Sequence, residues 1–354
     1  MRLERRERAW RGLKKEGVGA ALISAPENIR YLSGFTGGEA LLLVTKGVDY
    51  LFVDSRYTTQ ARDECKRLTV IETRDKIKGV AQRAEKLGAR RLGFEPQHLS
   101  FSQHDQLKKT CGAVLLPLSN RCEEMRSTKD PMEIKLIKES ATIASKSFLE
   151  MARGIKAGDR ERDLALQLEN LIRKNGAESI PFPFIVASGT RGALPHGVAT
   201  SKKIRRGELV TIDFGAVYRG YCSDETCTII MGRPTARQNR VYQVVKEAHD
   251  KAIRRTKPGI KTSAIDSIAR GVIERGGLGK YFVHGTGHGV GLSVHEEPRI
   301  TQQQKYIVEE GMVFTIEPGV YIPRWGGVRI EDMVVVTRQG GEPLSCVPKE
   351  LMRI

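Results

Sequence analysis

Thr211-Ile212-Asp213-Phe214-Gly215 returns at Thr315-Ile316-Glu317-Pro318-Gly319, and this pair of stretches sets how the rest of the chain is organised. At full length, Gly207 to Gly215 lies over Gly311 to Gly319 without a gap, at an offset of 104 residues. Each copy is a short apolar run with one carboxylate near its end and a glycine two residues later. Period-2 strand geometry sends Thr211 and Asp213 to one face and Val210, Ile212 and Phe214 to the other. Thr315 and Glu317 follow the same rule. A carboxylate inside an apolar strand is costly unless its charge is compensated. Two in matching register point to two strands presenting acids to one shared cation site.

Working outward, the flanking elements repeat as well. Asp130 before Pro131, with Glu133 three residues on, predicts a helix opened by a capping box. Ile134, Ile137, Ala141, Ala144 and Phe148 continue it at helical spacing. Lys156-Ala157-Gly158 ends it, a second helix runs over about 159–174, and an acidic hairpin follows over about 208–231. The order then recurs: helices over about 236–256 and 262–275, then a second acidic hairpin over about 312–336. Lys257-Pro258-Gly259 matches Lys156-Ala157-Gly158 at an offset of 101. Two copies are too few for a solenoid. They read as a duplicated α/β half, paired around a central site.

Upstream, residues 1–15 read as a basic amphipathic helix. ALIS, ALLLV, YLFVD, RLGFE and AVLLPL read as short strands, and KGVAQRAEKLG as a helix between them. Such alternation predicts a small α/β domain ending near residue 122. The expected division is therefore 1–124 and 125–354.

Composition narrows the class. With 354 residues, 40% hydrophobic and 29% charged, the chain is an ordinary globular protein with length for two cores. No apolar run approaches the roughly 18 residues that span a bilayer. The N-terminal MRLERRERAW lacks the apolar centre of a signal peptide, so no membrane and a cytoplasmic location are expected. Six cysteines (65, 111, 122, 222, 227 and 346) form no Cys-x-x-Cys pair, which fits reduced thiols. The net charge of +17 raises nucleic acid as a partner. However, the 59 Lys and Arg residues are spread along the chain and aromatics are 6%, so nucleic-acid binding is not expected.

The chemistry concentrates in the hairpins. Each carries a second acid on its return strand, Asp224 in the first and Glu331 in the second. Between the hairpins lies His284-Gly-Thr-Gly-His288-Gly-Val-Gly-Leu-Ser-Val-His295, whose alternating glycines exclude a helix and permit close backbone approach to a ligand. It lacks the Lys-Ser/Thr of a phosphate loop. His288 is the best candidate nitrogen donor. Four carboxylates and an imidazole carry too much negative charge for one ion, which predicts two bridged divalent ions. Oxygen-rich ligation favours Mn²⁺, with Co²⁺ or Zn²⁺ as alternatives. Cys222 shares a strand face with Asp224 but has no second thiol near it, so burial is its expected state.

These residues resemble the pita-bread metallopeptidases, in the Xaa-Pro branch that contains aminopeptidase P and prolidase. LPHG (194–197), TIDFGAVYRGYCSDET, HGTGHGVGLSVHE and EPGVYIPRWGGVRIED resemble the catalytic motifs. PENIRYLSGFTGGEALLLVT and YLFVDSRYTTQA resemble the creatinase-type N-terminal domain that methionine aminopeptidases lack. The resemblance implies a creatinase-type α/β domain followed by a pseudo-twofold pita-bread α+β catalytic domain. Carried over, Asp213, Asp224, His288, Glu317 and Glu331 match the metal ligands, and His196, His284 and His295 the substrate-handling histidines. Arg329 matches an arginine expected to orient Glu331, two residues along the same strand face. Cys227 stands where many relatives have arginine; it should face away from Asp224 and leave the site intact.

The implied chemistry is hydrolysis of an Xaa-Pro bond by a water that both ions activate. Glu317 would move its proton to the leaving nitrogen and His295 would stabilise the oxyanion. His196 and His284 would hold the proline side. Short proline-containing peptides are the expected partners, and a homodimer the expected assembly. Three rival readings stand beside this one. Creatinase shares the fold without metal but lacks the five ligands. An inactive pita-bread binding protein would suit the positive charge, though such proteins have usually lost ligands. Methionine-aminopeptidase specificity would share the ligands but not the N-terminal domain.

Overall fold

The computed structural model describes residues 2–354. By its internal packing the chain divides into Met1–Arg126 and Ser127–Ile354.

The first unit alternates as its apolar runs require: α1 (Arg2–Lys15), β1 (Ala20–Ile23), α2 (Pro26–Ser33), β2 (Leu41–Val44), β3 (Tyr50–Val53), α3 (Thr58–Glu64), β4 (Thr69–Glu72), α4 (Lys76–Lys86), β5 (Arg91–Phe94), α5 (Phe101–Thr110), β6 (Val114–Pro117) and α6 (Arg121–Ser127). The strands form one mixed sheet in the order β4-β3-β2-β1-β5-β6. β1, β2 and β3 are buried on both faces, which is why they read as unbroken aliphatic runs rather than alternations. Pro117 sits on the edge strand β6, where its missing N–H costs no ladder bond. The four helices absent from the sequence reading, α2, α3, α5 and α6, are short. α2 is nevertheless marked by Pro26 at its start and left-handed Gly34 at its end, and α5 by a capping box between Ser100 and Gln103.

The second unit opens on α7 (Pro131–Ala152), where Asp130 accepts from Met132 N and Glu133 N and the capping box is complete. It continues through α8 (Glu161–Lys174), β7 (Ile185–Ser188), β8 (Leu209–Phe214), β9 (Val217–Tyr218), β10 (Tyr221–Cys222), β11 (Glu225–Ile230), α9 (Ala236–Arg255), α10 (Thr262–Arg275), β12 (Gly287–Gly289), β13 (Glu296–Ile300), β14 (Val313–Ile316), β15 (Gly319–Ile322), β16 (Gly326–Arg329), β17 (Asp332–Val336) and β18 (Gly341–Pro343). The repeated order is plain. β8 and β11 pair antiparallel in one half, and β14 and β17 in the other. Each pair leads into a two-stranded ribbon, β9–β10 or β15–β16.

The halves meet along a seam between β11 and the end of β16. Glu331 N donates to Thr226 O at 3.1 Å, while Thr228 Oγ1 donates to Arg329 O at 2.8 Å. Val210, Ile212 and Phe214 pack into one core with Phe148, and Phe314 and Ile316 into another with α9 and α10. The opposite faces of the same strands are thereby turned toward each other. Gly215 is required here, because a Cβ would lie 2.0 Å from Ser223 O.

Candidate active site

Strand ends carry the acids inward. Asp213 lies near the end of β8, Asp224 just before β11, Glu317 just after β14 and Glu331 just before β17. β12 lies beside β14 and presents His288, whose N–H donates to Thr315 Oγ1 at 3.1 Å. The strands approach so closely that a Cβ on Gly287 would sit 1.9 Å from Thr315 O. A cavity of about 390 Å³ results, within the range of small-molecule sites. Asp213, Asp224, His288, Glu317, Glu331, His196, His284, His295 and Arg329 all line it. The structure therefore brings together every residue singled out from the sequence.

Donor by donor, the cluster suits a cation. His288 Nδ1 faces Gly289 O at 3.1 Å, so it carries the proton. That leaves the Nε2 lone pair aimed at Glu317 Oε1 (3.3 Å) and Asp224 Oδ2 (3.5 Å), acceptors facing an acceptor. Burial pushes the His288 pKa down to about 4, so protonation does not relieve the conflict. Burial, and then neighbouring carboxylates, push Asp224 and Glu331 well above the usual carboxylate range. Asp213 Oδ1 is buried with no hydrogen-bond partner among the described residues. One ligand atom from each of Asp224, His288 and Glu331 lies within 4.8 Å of the others. A positive charge placed among them resolves all of these costs at once.

Arg329 does something other than expected. Its Nη2 lies 2.5 Å from Asp213 Oδ2, so the carboxylate it grips directly is Asp213. Glu331 is reached at one remove: Arg329 Nε donates to Thr226 Oγ1 (3.0 Å), and Thr226 donates to Glu331 Oε2 (2.6 Å). Strand alternation placed Arg329 on the right face, but the seam puts the other half's Asp213 within its reach. Of the four carboxylates, the Arg329 guanidinium grips only Asp213 directly among the described residues.

The histidines differ in kind. His284 Nδ1 faces Gly285 O at 2.7 Å and its Nε2 faces Tyr321 Oη at 2.9 Å. Tyr321 Oη in turn accepts from Arg329 Nη1 at 2.9 Å. Both ring nitrogens of His284 are thus engaged inside the protein, and it offers the cavity a ring surface, backed by Phe282. Burial lowers its pKa, which keeps it neutral. His295 lies 4.2 Å from the His288 ring with part of its ring open to solvent, and the partial burial, with His288 beside it, lowers its pKa. His196 is exposed on the 194–197 turn, which is held by Arg329 Nη1 on Pro195 O at 3.0 Å.

Two anchors escaped the sequence reading. Glu161, fully buried at the start of α8, accepts from Ser188, Arg191 and Thr200 and so secures the loop bearing His196. Asp266, fully buried on α10, accepts from Thr286 N and Oγ1 and pairs with Arg270, whose guanidinium also holds Phe282 O and His284 O. Acid near a helix start gave the available signal for Glu161, but it reads equally as a dipole partner. Arg299, Phe182 and Pro183 also line the cavity. Cys227 faces the core as expected, and Cys222 is buried with Sγ toward Leu292 O.

Known proteins resemble the chain over both of its units. Residues 135–338 match the model of metallopeptidase family M24, and residues 5–128 that of the creatinase/prolidase N-terminal domain. The Xaa-Pro dipeptidase of Pyrococcus furiosus is 38% identical over 353 residues, 99% of each chain. Among solved structures, the Xaa-Pro dipeptidase from Bacillus anthracis superposes with a TM-score of 0.98 at 38% identity over 100% of both chains. The X-Pro aminopeptidase from Thermotoga maritima gives 0.90 at 37%, covering 97% of this chain and 100% of its own. The chain belongs to metallopeptidase family M24. Its N-terminal unit is of the creatinase/prolidase type, and the family implies divalent metal ions.

Proposed function

We propose that the protein hydrolyses Xaa-Pro bonds, in dipeptides and at the N-termini of short peptides, with Asp213, Asp224, His288, Glu317 and Glu331 holding two divalent ions. The observation that carries the reading is the set of acceptors left facing one another: Asp213 Oδ1, the His288 lone pair and the buried oxygens of Asp224 and Glu331. Bound divalent ions supply a water of lowered pKa and polarise the scissile carbonyl. Thr315 Oγ1 donates to Glu317 Oε1 at 3.1 Å, which leaves Oε2 to accept a proton from the water and pass it to the leaving nitrogen. His295, a neutral ring at the cavity wall, donates an N–H to the developing oxyanion. His196 contributes from the opposite loop. His284, Phe182 and Pro183 form a wall suited to a pyrrolidine ring, which has no N–H to satisfy. Arg329 holds the Asp213 carboxylate in place through its Nη2 contact.

Arg299, exposed on the same cavity, is a cation placed to take the carboxylate that a dipeptide carries beyond its proline. This favours the dipeptidase reading, in line with the names of the Pyrococcus and Bacillus relatives. Mn²⁺ is the proposed ion on the oxygen-rich ligand set. A homodimer rests on the family resemblance, and a cytoplasmic location on the cysteine pattern.

The test is kinetic. With Mn²⁺ added, Gly-Pro and a longer Xaa-Pro peptide are each compared with an Xaa-Ala counterpart. The proline substrates should be cleaved at least about tenfold better in kcat/KM, about 1.4 kcal/mol of discrimination. A chelator should abolish both activities. Equal rates on proline and alanine would end the Xaa-Pro reading, and Gly-Pro left uncut beside a cleaved longer peptide would end the dipeptidase reading.

A further inference from the structure

Residues 345–354 run behind the catalytic strands. Ile230 N donates to Met352 O at 2.9 Å and Ile354 N to Ile230 O at 3.0 Å, so this segment completes the edge of β11. It carries Lys349, whose Nζ lies 2.5 Å from Glu225 Oε1 and 3.1 Å from Asp332 Oδ1. All three side chains are 10% exposed or less. Glu225 follows Asp224, and Asp332 follows Glu331. Strand alternation therefore sets an acid on the rear face behind each of these two cavity acids, once in each half. Ser145 Oγ donates to Glu225 Oε2 at 2.6 Å, and His249 Nε2 lies 3.2 Å from Asp332 Oδ2, so at Asp332 the contacts with His249 and Lys349 are charge contacts rather than aligned hydrogen bonds. The catalytic role of the front face leaves this rear cluster unexplained.

We propose that Lys349 is a positioning residue of the metal centre: by bridging Glu225 and Asp332 from behind, it fixes the spacing of Asp224 and Glu331 in front. The inference rests on the metal-site reading above. Without the shared cation, two buried carboxylates would face each other across the seam, and like charges at such a place push apart. The front acids have little freedom to compensate. Glu331 N is hydrogen-bonded to Thr226 O at the same seam, and Asp332 has a single methylene between backbone and carboxylate. A ligand set tolerates displacements of only about 0.5 Å before its geometry is lost. Lys349 would thus govern metal affinity without touching metal or substrate.

The experiment is a titration of metal-free protein with Co²⁺, followed by visible absorption, with metal content measured after dialysis at fixed free Mn²⁺. Lys349→Met keeps the chain length and removes the charge; it should weaken the less tightly held ion by about tenfold or more and alter the Co²⁺ spectrum. Lys349→Arg, which can still bridge two carboxylates, should stay within about threefold of the parent protein. If Lys349→Met fails to fold, the Lys349→Met, Glu225→Gln double variant removes one buried anion with the cation, and its metal binding should remain weakened. A folded Lys349→Met protein, or a folded Lys349→Met, Glu225→Gln protein, that binds Co²⁺ with parental affinity and spectrum overturns the proposal. A parent protein that binds no ion would instead overturn the metal-site reading beneath it.

Discussion

In the first half of Ser127–Ile354, β7 runs beside β8 and sets Ala187 against Thr211. In the second half, β12 runs beside β14 and sets His288 against Thr315. Around these positions the halves are otherwise equipped alike. Each provides one acid near the end of its leading strand and one at the start of its return strand. Each also buries an acid on its second helix, Glu161 or Asp266, that secures the adjoining histidine loop. The threonines diverge with their neighbours. Thr211 lies 3.3 Å from Thr228 and serves the seam, whereas Thr315 holds Glu317 and the His288 backbone. Duplication thus accounts for a symmetric cage of carboxylates. One imidazole in place of one methyl group makes that cage directional, with Glu317, the proposed proton acceptor, on the imidazole's side.

The largest effect should come from breaking that direction. Glu317→Gln is expected to lower kcat about a thousandfold or more while near-native circular dichroism persists, since it removes the proton acceptor. Asp213→Asn, its counterpart in the first half, should act chiefly on metal content, because Asp213 is already gripped by Arg329. A Glu317→Gln enzyme with near-parental turnover, free of host peptidase, would remove the assignment.

A smaller effect should separate the two anchors. Glu161→Gln and Asp266→Asn each weaken charge-assisted hydrogen bonds in a buried place, at a cost of about 2 kcal/mol. Their kinetics should differ. Loosening the His196 loop should raise KM with metal affinity unchanged, while loosening the 284–288 segment should weaken metal binding itself. Identical profiles would mean that the loops are not independent.

The smallest effect is a pH dependence of stability. Burial draws the His249 pKa down, but its contacts with Asp250 and Asp332 more than offset it, with Lys349 opposing, and the net shift is upward. The folded value therefore exceeds the unfolded one, near 6.5. Its stabilising contribution is full below that pH and is lost as pH rises through the folded value. Tm should fall over this window by about 2–4 °C more in the parent than in His249→Gln. Parallel Tm profiles for the two proteins would place the charged form elsewhere.

Much of this architecture was legible before any coordinates, and the reasons are local. The capping box at Asp130, the repeated KxG stops and the period-2 faces of β8 and β14 are set by neighbouring residues. Asp213, Asp224, Glu317 and Glu331 therefore fell on the correct faces. What stayed hidden depends on reach across the seam. Alternation shows which way Arg329 points but not that Asp213 is nearer than Glu331. It cannot reveal that Tyr321 occupies a nitrogen of His284, or that Lys349, in a segment without periodicity, meets acids of both halves. In the N-terminal unit, α2 and α5 are short enough that their caps carry more signal than their apolar spacing, and α3 has no side-chain cap to mark it.

The seam has a consequence in time as well as in space. Thr226, Thr228, Arg329 and Glu331 join parts of the chain that lie far apart in sequence, and bringing such parts together requires closing long loops. Each half can assemble its own hairpin and helices from nearby residues, but neither can build the metal cage alone. The cage is therefore expected to be among the last features of the fold to become complete. Ions that settle there act on the finished structure, holding it closed rather than guiding the chain toward it.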